Sequence, residues 1–460
     1  MKTIRKQAAK SRLSLAQLRA MGKSLRTKCP RSSHAQWKAP GDRPDPLRLL
    51  EQSDKGRIAS LIPIRHGRMV RTPFTFYRGA ALNMAADLAG TAATGLRVQA
   101  CGDCHLYNFG AYATPERRIV FDINDLDETL PGPWEWDVKR LAASFVLASR
   151  ANGLSRRDAE DAALSCVRSY RQRMAEYSDM TILEVWYASI DIEKMISGIE
   201  DAETRRRDLR RLAASRASSM SERHFPTVLI RAGQSPTIQD NPPLIQHPRA
   251  RGEDSIDVLV RESFADYRLS LSDDRRALFD RFDLADAALK VVGVGSVGTW
   301  CSAVLMTAGD KDHLFLQMKE AGPSVLEAYV GESIFPNHGQ RDVNGCRLMQ
   351  SASDIFLGWL NTRHGRHFYV RQLRDVKIGA PVEQFGSGKM VEYAELCGWT
   401  LARAHARSGA SAQISGYVGN SDTFDTAVAA FAEAYADQSE RDHATFKKAV
   451  RSGRVKADME

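Results

Sequence analysis

Carboxylates and amides are concentrated between residues 101 and 137. The segment begins Cys101-Gly-Asp-Cys-His-Leu-Tyr-Asn-Phe-Gly110 and continues as Val120-Phe-Asp-Ile-Asn-Asp-Leu-Asp-Glu128. Asp103 and Asn108 supply a carboxylate and an amide oxygen from one tight loop, and Asp122 follows at the end of a strand-like stretch. Phosphoryl transfer needs a carboxylate that takes or orients the nucleophile's proton, and oxygen ligands for one or two Mg²⁺ ions. The pattern therefore predicts metal-dependent chemistry on a phosphate.

Two further acids extend this cluster. Asp125 and Asp127 alternate with the apolar residues Ile123 and Leu126. Taken singly, each acid is equally well explained as a turn former or a surface charge. The set as a whole favours a binding site.

A glycine-rich segment forms the second candidate. Val291-Val-Gly-Val-Gly-Ser-Val-Gly298 contains Gly293, Gly295, Ser296 and Gly298 in a G-x-G-x-x-G pattern, which dinucleotide-binding loops and many tight turns share. A dinucleotide-binding loop should open a helix, whereas Thr299–Met306 is rich in β-favouring residues. A strand, a glycine loop and a second strand would place backbone N–H groups over nucleotide phosphates.

The strand after this loop ends at Lys319, which we expect to contact the α- and β-phosphates. The alternative is an edge-strand lysine that prevents aggregation. Glu327, in a helix opened by Pro323, is the expected partner of Lys319, with Glu320 and Glu332 as rivals.

The elements that must position these residues divide into helical and β-rich stretches. We expect helices over 54–90, 135–151, 155–177, 273–282, 396–408 and 423–450. We expect strands at 96–100, 118–123, 290–294, 299–306, 313–319, 355–360 and 368–373. A helical insert at about 155–220 is expected to shape an acceptor pocket, and residues 225–255 are expected to form strands and loops.

The bulk properties exclude several classes of protein. The 460 residues suffice for two or three lobes, and no apolar run approaches the roughly 18 residues that span a bilayer. Seven scattered cysteines suggest no disulfide framework, so we expect a cytoplasmic protein. Much of the net charge of +9 lies before residue 46. The simplest interpretation is a solvated, loosely ordered basic arm; the alternative is non-specific contact with nucleic acid or acidic lipid.

The acidic segment resembles the catalytic loop of protein kinases and aminoglycoside phosphotransferases. The latter write it H-G-D-x-H-x-x-N, and Gly102, Asp103, His105 and Asn108 stand at that spacing. The resemblance implies that Asp103 is the catalytic base, with His105 beside it, and that Asn108 and Asp122 bind the metal.

Three further residues carry this resemblance. Asp125 resembles the second catalytic acid of phosphotransferases, three residues after Asp122. Asp137 resembles the buried aspartate at a helix start that braces the catalytic loop; the alternative is an ordinary acid favoured by the helix dipole. Arg78, in a Tyr-Arg-Gly motif, is expected either to reach a phosphate or to form a supporting salt bridge. Leu401-Ala-Arg-Ala-His-Ala406 resembles the helix that precedes the catalytic loop in phosphotransferases.

In this chain the catalytic loop precedes the glycine loop, the reverse of the kinase order. We therefore expect an α+β, two-lobed protein-kinase-like fold that is circularly permuted. The expected divisions are a basic, partly disordered arm (1–48), a helical lobe with the catalytic loop (49–285), a β-rich nucleotide lobe (286–380) and helices completing the helical lobe (381–460). The motifs together look like a bacterial family known as domain of unknown function 2252, grouped with the kinase-like fold.

The function implied is an ATP- and Mg²⁺-dependent phosphotransferase acting on an unknown hydroxyl acceptor, more plausibly a small molecule than a protein. Alternatives are a nucleotide-binding pseudokinase and an AMP-transferring enzyme. A metallophosphoesterase would need a later Gly-Asn-His, but Gly419-Asn-Ser421 has no histidine. A zinc half-site at Cys101 and Cys104 has no second C-x-x-C, and a basic nucleic-acid-binding protein would rest on the arm alone.

Overall fold

The computed structural model describes residues 13–198, 200–219, 228–229, 235–247, 256–291, 293–309, 312–373 and 377–459. These residues form a mixed α+β structure with several small sheets. None of the helices in these ranges is long and apolar enough to cross a bilayer.

Helices dominate both ends of the chain. The first group is α1 (Leu15–Ser24), α2 (Pro46–Asp54), α3 (Ile62–Met69), α4 (Pro73–Gly79), α5 (Ala81–Leu88), α6 (Trp134–Ala151), α7 (Arg156–Asp179), α8 (Ile182–Tyr187), α9 (Ile192–Ser197) and α10 (Ala202–Ser219). The second group is α11 (Ile256–Ser270), α12 (Asp273–Phe279), α13 (Glu327–Val330), α14 (His338–Met349), α15 (Ser387–Ser408), α16 (Ser411–Val418) and α17 (Thr423–Arg451).

The strands form four antiparallel sheets within the described ranges. They are β1 (Arg97–Ala100), β2 (Phe109–Ala113), β3 (Ile119–Ile123), β4 (Leu130–Pro133), β5 (Ile190–Asp191), β6 (Val228–Leu229), β7 (Thr237–Ile238), β8 (Ile245–Gln246), β9 (Asp283–Lys290), β10 (Cys301–Ala308), β11 (Asp312–Ala321), β12 (Gly358–Asn361), β13 (His367–Gln372) and β14 (Lys377–Ile378). The largest sheet has the order β12-β13-β11-β10-β9-β8, and a second has the order β14-β2-β3-β5. The pairs β1-β4 and β6-β7 complete the set.

The helical core is built from segments at both ends of the chain. α7 begins with a capping box in which Ser155 and Asp158 exchange hydrogen bonds. α15 packs along α7 so closely that a Cβ added at Gly398 would lie 2.1 Å from the backbone oxygen of Cys166. α7 is therefore a central core helix instead of part of a peripheral insert.

The six-stranded sheet has its own hydrophobic core. One face is covered by α11, whose Val260, Phe264 and Tyr267 are buried against the strands. Sequence analysis assigned α11 and α12 to the helical lobe, and the structure corrects this. Their apolar stripe is complementary to the face of the sheet, so that is where they pack.

The basic N-terminal segment is packed wherever the structure describes it. Within residues 13–48, α1 lies against α16, and Arg26 donates two hydrogen bonds to backbone oxygens of α16. Arg43 forms ion pairs with Asp87 and Asp442 at 2.7 and 2.6 Å. Several cations of the expected arm, Arg26 and Arg43 among them, thus bind carbonyl groups and acids of the helical core.

Most predicted elements appear close to their expected positions. One strand is displaced: β9 ends at Lys290, and Gly293, within the expected strand at 290–294, has a φ of +66°. Glycine tolerates this conformation, which a strand does not use. The expected helix over 54–90 is divided into α3, α4 and α5, with prolines in the first turns of α3 and α4. Much of 225–255 lies outside the described residues.

Candidate active site

Asp137 holds the loop that carries Asp103. It lies in the first turn of α6, and its carboxylate accepts hydrogen bonds from the backbone N–H groups of Cys101 at 2.6 Å and Gly102 at 3.1 Å. The His405 Nε2 atom lies 3.1 Å from the same carboxylate, although 268 residues separate the two in sequence. Gly102 has a φ of +82°. The loop is therefore fixed by α6 and α15 together.

The Asp103 carboxylate is oriented by Arg140. Both Nε and Nη2 of Arg140 donate to Oδ1 of Asp103, the former at 2.8 Å. The other oxygen, Oδ2, lies 3.7 Å from Nε2 of His105. Burial lowers the pKa of His105 to about 4, so this imidazole is neutral at physiological pH. Oδ2 of Asp103 is consequently the atom available to a substrate.

Asn108 is also held by this loop. Its Nδ2 group donates to the backbone oxygen of Asp103 at 2.8 Å. Because the amide nitrogen is engaged, the side-chain oxygen of Asn108 is the atom left for a cation.

Asp122 is not placed where the resemblance implies. It is fully buried in β3 and forms an ion pair with Arg403 at 2.5 Å. Its other oxygen accepts hydrogen bonds from the backbone N–H and the hydroxyl of Ser351, both at 2.7 Å. The predicted metal ligand is thus a structural acid, because neighbouring side chains on a strand point to opposite faces and this one faces the interior.

Asp125 and Asp127, unlike Asp122, lie beside Lys319. Asp127 forms an ion pair with Lys319 and also accepts a hydrogen bond from the Tyr369 hydroxyl at 2.8 Å. Asp125 lies 3.7 Å from the Lys319 ammonium. Burial disfavours the charged ammonium, but the two carboxylates outweigh that cost and raise the pKa of Lys319 well above its usual value. Burial and the charge of Asp125 raise the pKa of Asp127.

Glu327 does not pair with Lys319. It lies in α13, 3.9 Å from Nδ1 of His338, and its carboxylate accepts a hydrogen bond from the backbone N–H of Ser324 at 3.3 Å. The predicted pairing is therefore wrong, because the acids after β3 lie closer to the lysine than the helix does.

The glycine loop joins β9 to β10, as the sequence predicts, and is seated on the N-terminal helices. The backbone oxygen of Gly298 accepts from the N–H of Ile58 at 2.7 Å, and that of Gly293 accepts from Arg68 at 2.7 Å. A Cβ added at Gly295 would lie 3.3 Å from the backbone oxygen of Arg78. The loop is held in place by α4 and by the segment around α3.

Arg78 faces the same region. Its guanidinium lies over the Tyr107 ring, 4.4 Å from the centroid, and its buried Nε has no hydrogen-bond partner among the described residues. Burial lowers the pKa of Arg78. Of its two expected roles, the supporting salt bridge is not seen in the described part of the chain.

These groups line one cavity of about 670 Å³. The predicted residues on its wall are Arg78, Asp103, His105, Asn108, Asp125, Gly293, Gly295, Ser296, Lys319 and Glu327. Asp122, Asp137 and Gly298 do not belong to that wall. Two stretches nearly 200 residues apart in sequence therefore meet, and the side chains that face the cavity carry both signs of charge.

A different set of possible metal ligands lies behind the loop. Cys101, Cys104 and Asp137 each bring one ligand atom within 4.8 Å of the others. Burial raises the pKa of both thiols, so they remain protonated, and both oxygens of Asp137 already accept hydrogen bonds. In this arrangement the Asp137 carboxylate supports the loop through the backbone N–H groups of Cys101 and Gly102.

Sequence reasoning missed Arg140 and gave Asp127 only a minor part. Arg140 lies three residues after Asp137 on α6, and that spacing places the two side chains on the same helix face. The Asp125-Leu-Asp127 alternation likewise placed both acids on one side of the chain. The sequence thus shows the spacing of Arg140 from Asp137 and of Asp127 from Asp125. It does not show that Arg140 lies beside Asp103 or that Asp127 lies beside Lys319.

One protein family matches most of the chain. The sequence profile described as "Uncharacterized protein conserved in bacteria (DUF2252)" matches residues 57–449. Searches of curated proteins and of solved structures found no match. The matched range contains the loop that carries Asp103, the acids after β3, the glycine loop and Lys319. The chain therefore belongs to the bacterial family of domain of unknown function 2252.

Proposed function

We propose that the protein is an ATP- and Mg²⁺-dependent phosphotransferase that acts on a hydroxyl group of a small molecule. The observation that carries the proposal is the shared cavity: Asp103 and Asn108 line it together with Lys319 and the Gly293–Ser296 turn. An acid, oxygen donors, an ammonium and a turn rich in backbone N–H groups are the set that phosphoryl transfer requires.

The donor chemistry fits Mg²⁺. This hard cation prefers carboxylate and amide oxygens, and Asn108, Asp125 and Asp127 offer these from the cavity wall. Asn108 and Asp125 would hold the ion, while Lys319 neutralises Asp127. When bound, Mg²⁺ would neutralise charge on the phosphate oxygens.

The chain's own residues account for the remaining steps. Oδ2 of Asp103 accepts the proton of the acceptor hydroxyl as the hydroxyl oxygen bonds to the γ-phosphorus and the bond to ADP breaks. Arg140 holds the Asp103 carboxylate in one orientation. Arg78 and Lys319 supply positive charge beside the triphosphate, and electrostatic positioning of this kind is the main contribution a protein makes to this reaction.

The order of elements supports a permuted kinase-like fold. β9, the glycine loop, β10, β11 with Lys319, α14, β12 and β13 follow one another as in a kinase nucleotide lobe. α15 then carries His405 to Asp137, which braces the catalytic loop, although that loop precedes the sheet in sequence. In the unpermuted chain order, α15 would lead directly into β1 and the catalytic loop.

The test is the thermal stabilisation of the protein by ATP, measured with Mg²⁺ and with EDTA. We expect Mg²⁺-dependent stabilisation that is lost in Asp125→Ala and weakened in Lys319→Ala. Glu160→Ala, at an exposed position of α7 that does not line the cavity, is the control and should behave as wild type. Absence of ATP stabilisation in the wild-type protein at millimolar nucleotide would refute the proposal.

One observation favours a second candidate, a nucleotide-binding protein without turnover. Two hydrogen bonds from Arg140 engage Oδ1 of Asp103, which leaves only Oδ2 to meet an acceptor hydroxyl. Incubation with ATP labelled at the γ-phosphate and, separately, at the α-phosphate separates the candidates. Release or transfer of the γ-label indicates a phosphotransferase, transfer of the α-label indicates AMP transfer, and binding without either indicates the non-catalytic protein.

A further inference from the structure

A second cavity, of about 300 Å³, lies behind the Lys319–Asp127 ion pair. It is formed between the β2–β3 hairpin, α14, the segment 352–357 and the end of β13. Its wall includes the apolar side chains of Leu126, Ile355 and Leu357. Its volume is roughly twice the ~150 Å³ that holds a benzene ring in an apolar protein cavity. A compact ring-sized molecule therefore fits it.

Asp342 is the unusual group on this wall. Its side chain is 2% exposed, and neither carboxylate oxygen has a hydrogen-bond partner among the described residues. Arg341 Nη2 lies 2.9 Å from Oδ1, but this nitrogen donates its hydrogens to the backbone oxygens of Asp127 and Gly322. The ion pair thus offsets charge without supplying a hydrogen bond.

Burying a carboxylate without hydrogen-bond donors carries a free-energy cost. Two further cations line the wall, Arg117 and Arg371, and Arg371 donates to Gln317 and to the backbone oxygen of Asn124. The side-chain oxygen of Asn124, also on the cavity wall, likewise lacks a donor. Burial raises the pKa of Asp342, as expected for an acid with no donor. Within the described residues, the Asp342 carboxylate and the Asn124 side-chain oxygen therefore both lack N–H donors.

We propose that this cavity is a second small-molecule site, which binds a compound with a ring-sized apolar body and a cationic amine or amidine that donates hydrogen bonds to Asp342. The apolar wall covers the ring, and the carboxylate receives the N–H groups. The site is separate from the proposed nucleotide cavity, although Asp127 lies on both walls.

The test uses benzamidine as the probe and benzoate as the oppositely charged analogue of the same shape. Binding is followed by NMR titration of the full-length protein without nucleotide or Mg²⁺, so the outcome does not depend on the phosphotransferase proposal. We expect saturable binding of benzamidine and none of benzoate. Asp342→Asn should weaken binding at least tenfold, because a hydrogen bond to a charged group contributes about 1.5–3 kcal/mol.

Two further variants locate the probe. Asp125→Asn, in the larger cavity, should change the affinity less than twofold. Ala352→Phe, which adds a ring at the wall of the second cavity, should abolish binding, and it decides the matter if Asp342→Asn does not fold. The proposal is overturned if benzamidine shows no saturable binding. It is equally overturned if Asp125→Asn weakens binding while Asp342→Asn and Ala352→Phe leave it unchanged.

Discussion

Replacing Asp122 with alanine separates a structural acid from a metal ligand. The Asp122 carboxylate is fully buried and is held by Arg403, by the backbone N–H of Ile123 at 2.8 Å, and by both donors of Ser351. The Tyr112 hydroxyl lies 3.3 Å away. None of these residues lines the larger cavity, so the change should reduce stability before it affects a nucleotide bound there.

The expected loss of unfolding free energy follows from Arg403, the partner that stays buried when the Asp122 carboxylate is removed. Arg403 is fully buried, and its Nε and Nη1 atoms have no hydrogen-bond partner among the residues that the structure describes. Without Asp122, Nη2 would keep only the backbone oxygen of Met349. Removing one member of a buried ion pair costs about 3–5 kcal/mol, because the other charge stays buried without compensation. That is a large part of the roughly 5–15 kcal/mol that stabilises a typical folded protein.

Urea unfolding followed by circular dichroism measures this loss. Asp122→Ala should unfold at a clearly lower urea concentration than wild type, whereas Asp125→Ala should remain within about 1 kcal/mol, since the Asp125 side chain is one third exposed. Arg403→Met should recover part of the loss in the double variant, which a double-mutant cycle detects. The reasoning is refuted if Asp122→Ala is as stable as wild type but no longer binds nucleotide with Mg²⁺.

Three other predictions test the loop, the N-terminal segment and the buried imidazole. Gly102→Ala should destabilise the fold by at least about 2 kcal/mol, since its Cβ would lie 2.3 Å from the Glu128 backbone oxygen. Gly153→Ala is the matched control in thermal unfolding, because Gly153 has a φ of +73° and no atom lies within 4 Å of its Cβ. Equal losses of stability in the two variants would contradict the predicted clash. Gly416→Ala places a Cβ 2.1 Å from a backbone oxygen of α1, so α1 should become sensitive to limited proteolysis; unchanged protection would count against this contact. Because burial holds the pKa of His105 near 4, the unfolded state binds the proton first as pH falls below about 6.5. Between pH 7 and 5 the wild type should therefore lose about 2 kcal/mol more unfolding free energy than His105→Gln, and parallel losses in urea titrations would exclude this effect.

Local structure followed from local sequence. Ser155 with Asp158 marks the start of α7, and the apolar periodicity of 135–151 matches α6 (Trp134–Ala151). The strands expected at 96–100 and 118–123 agree with the bounds of β1 and β3 to within one residue. These features depend on hydrogen bonds and side-chain spacing within a few residues, so the sequence alone determines them. The spacing of Asp103 and Asn108 within one loop belongs to the same class.

Tertiary structure decided which acid faces the cavity and what each charge binds. Asp122 and Asp125 are equivalent as residue types, but the pairing of β3 with β2 turns Asp122 towards Arg403, 281 residues away. Lys319 could have paired with an acid in its own neighbourhood, yet it meets Asp127 from a distant part of the chain. These choices depend on how separate segments pack, because charge pairing in a low-dielectric interior is set by distance and burial instead of by sequence order.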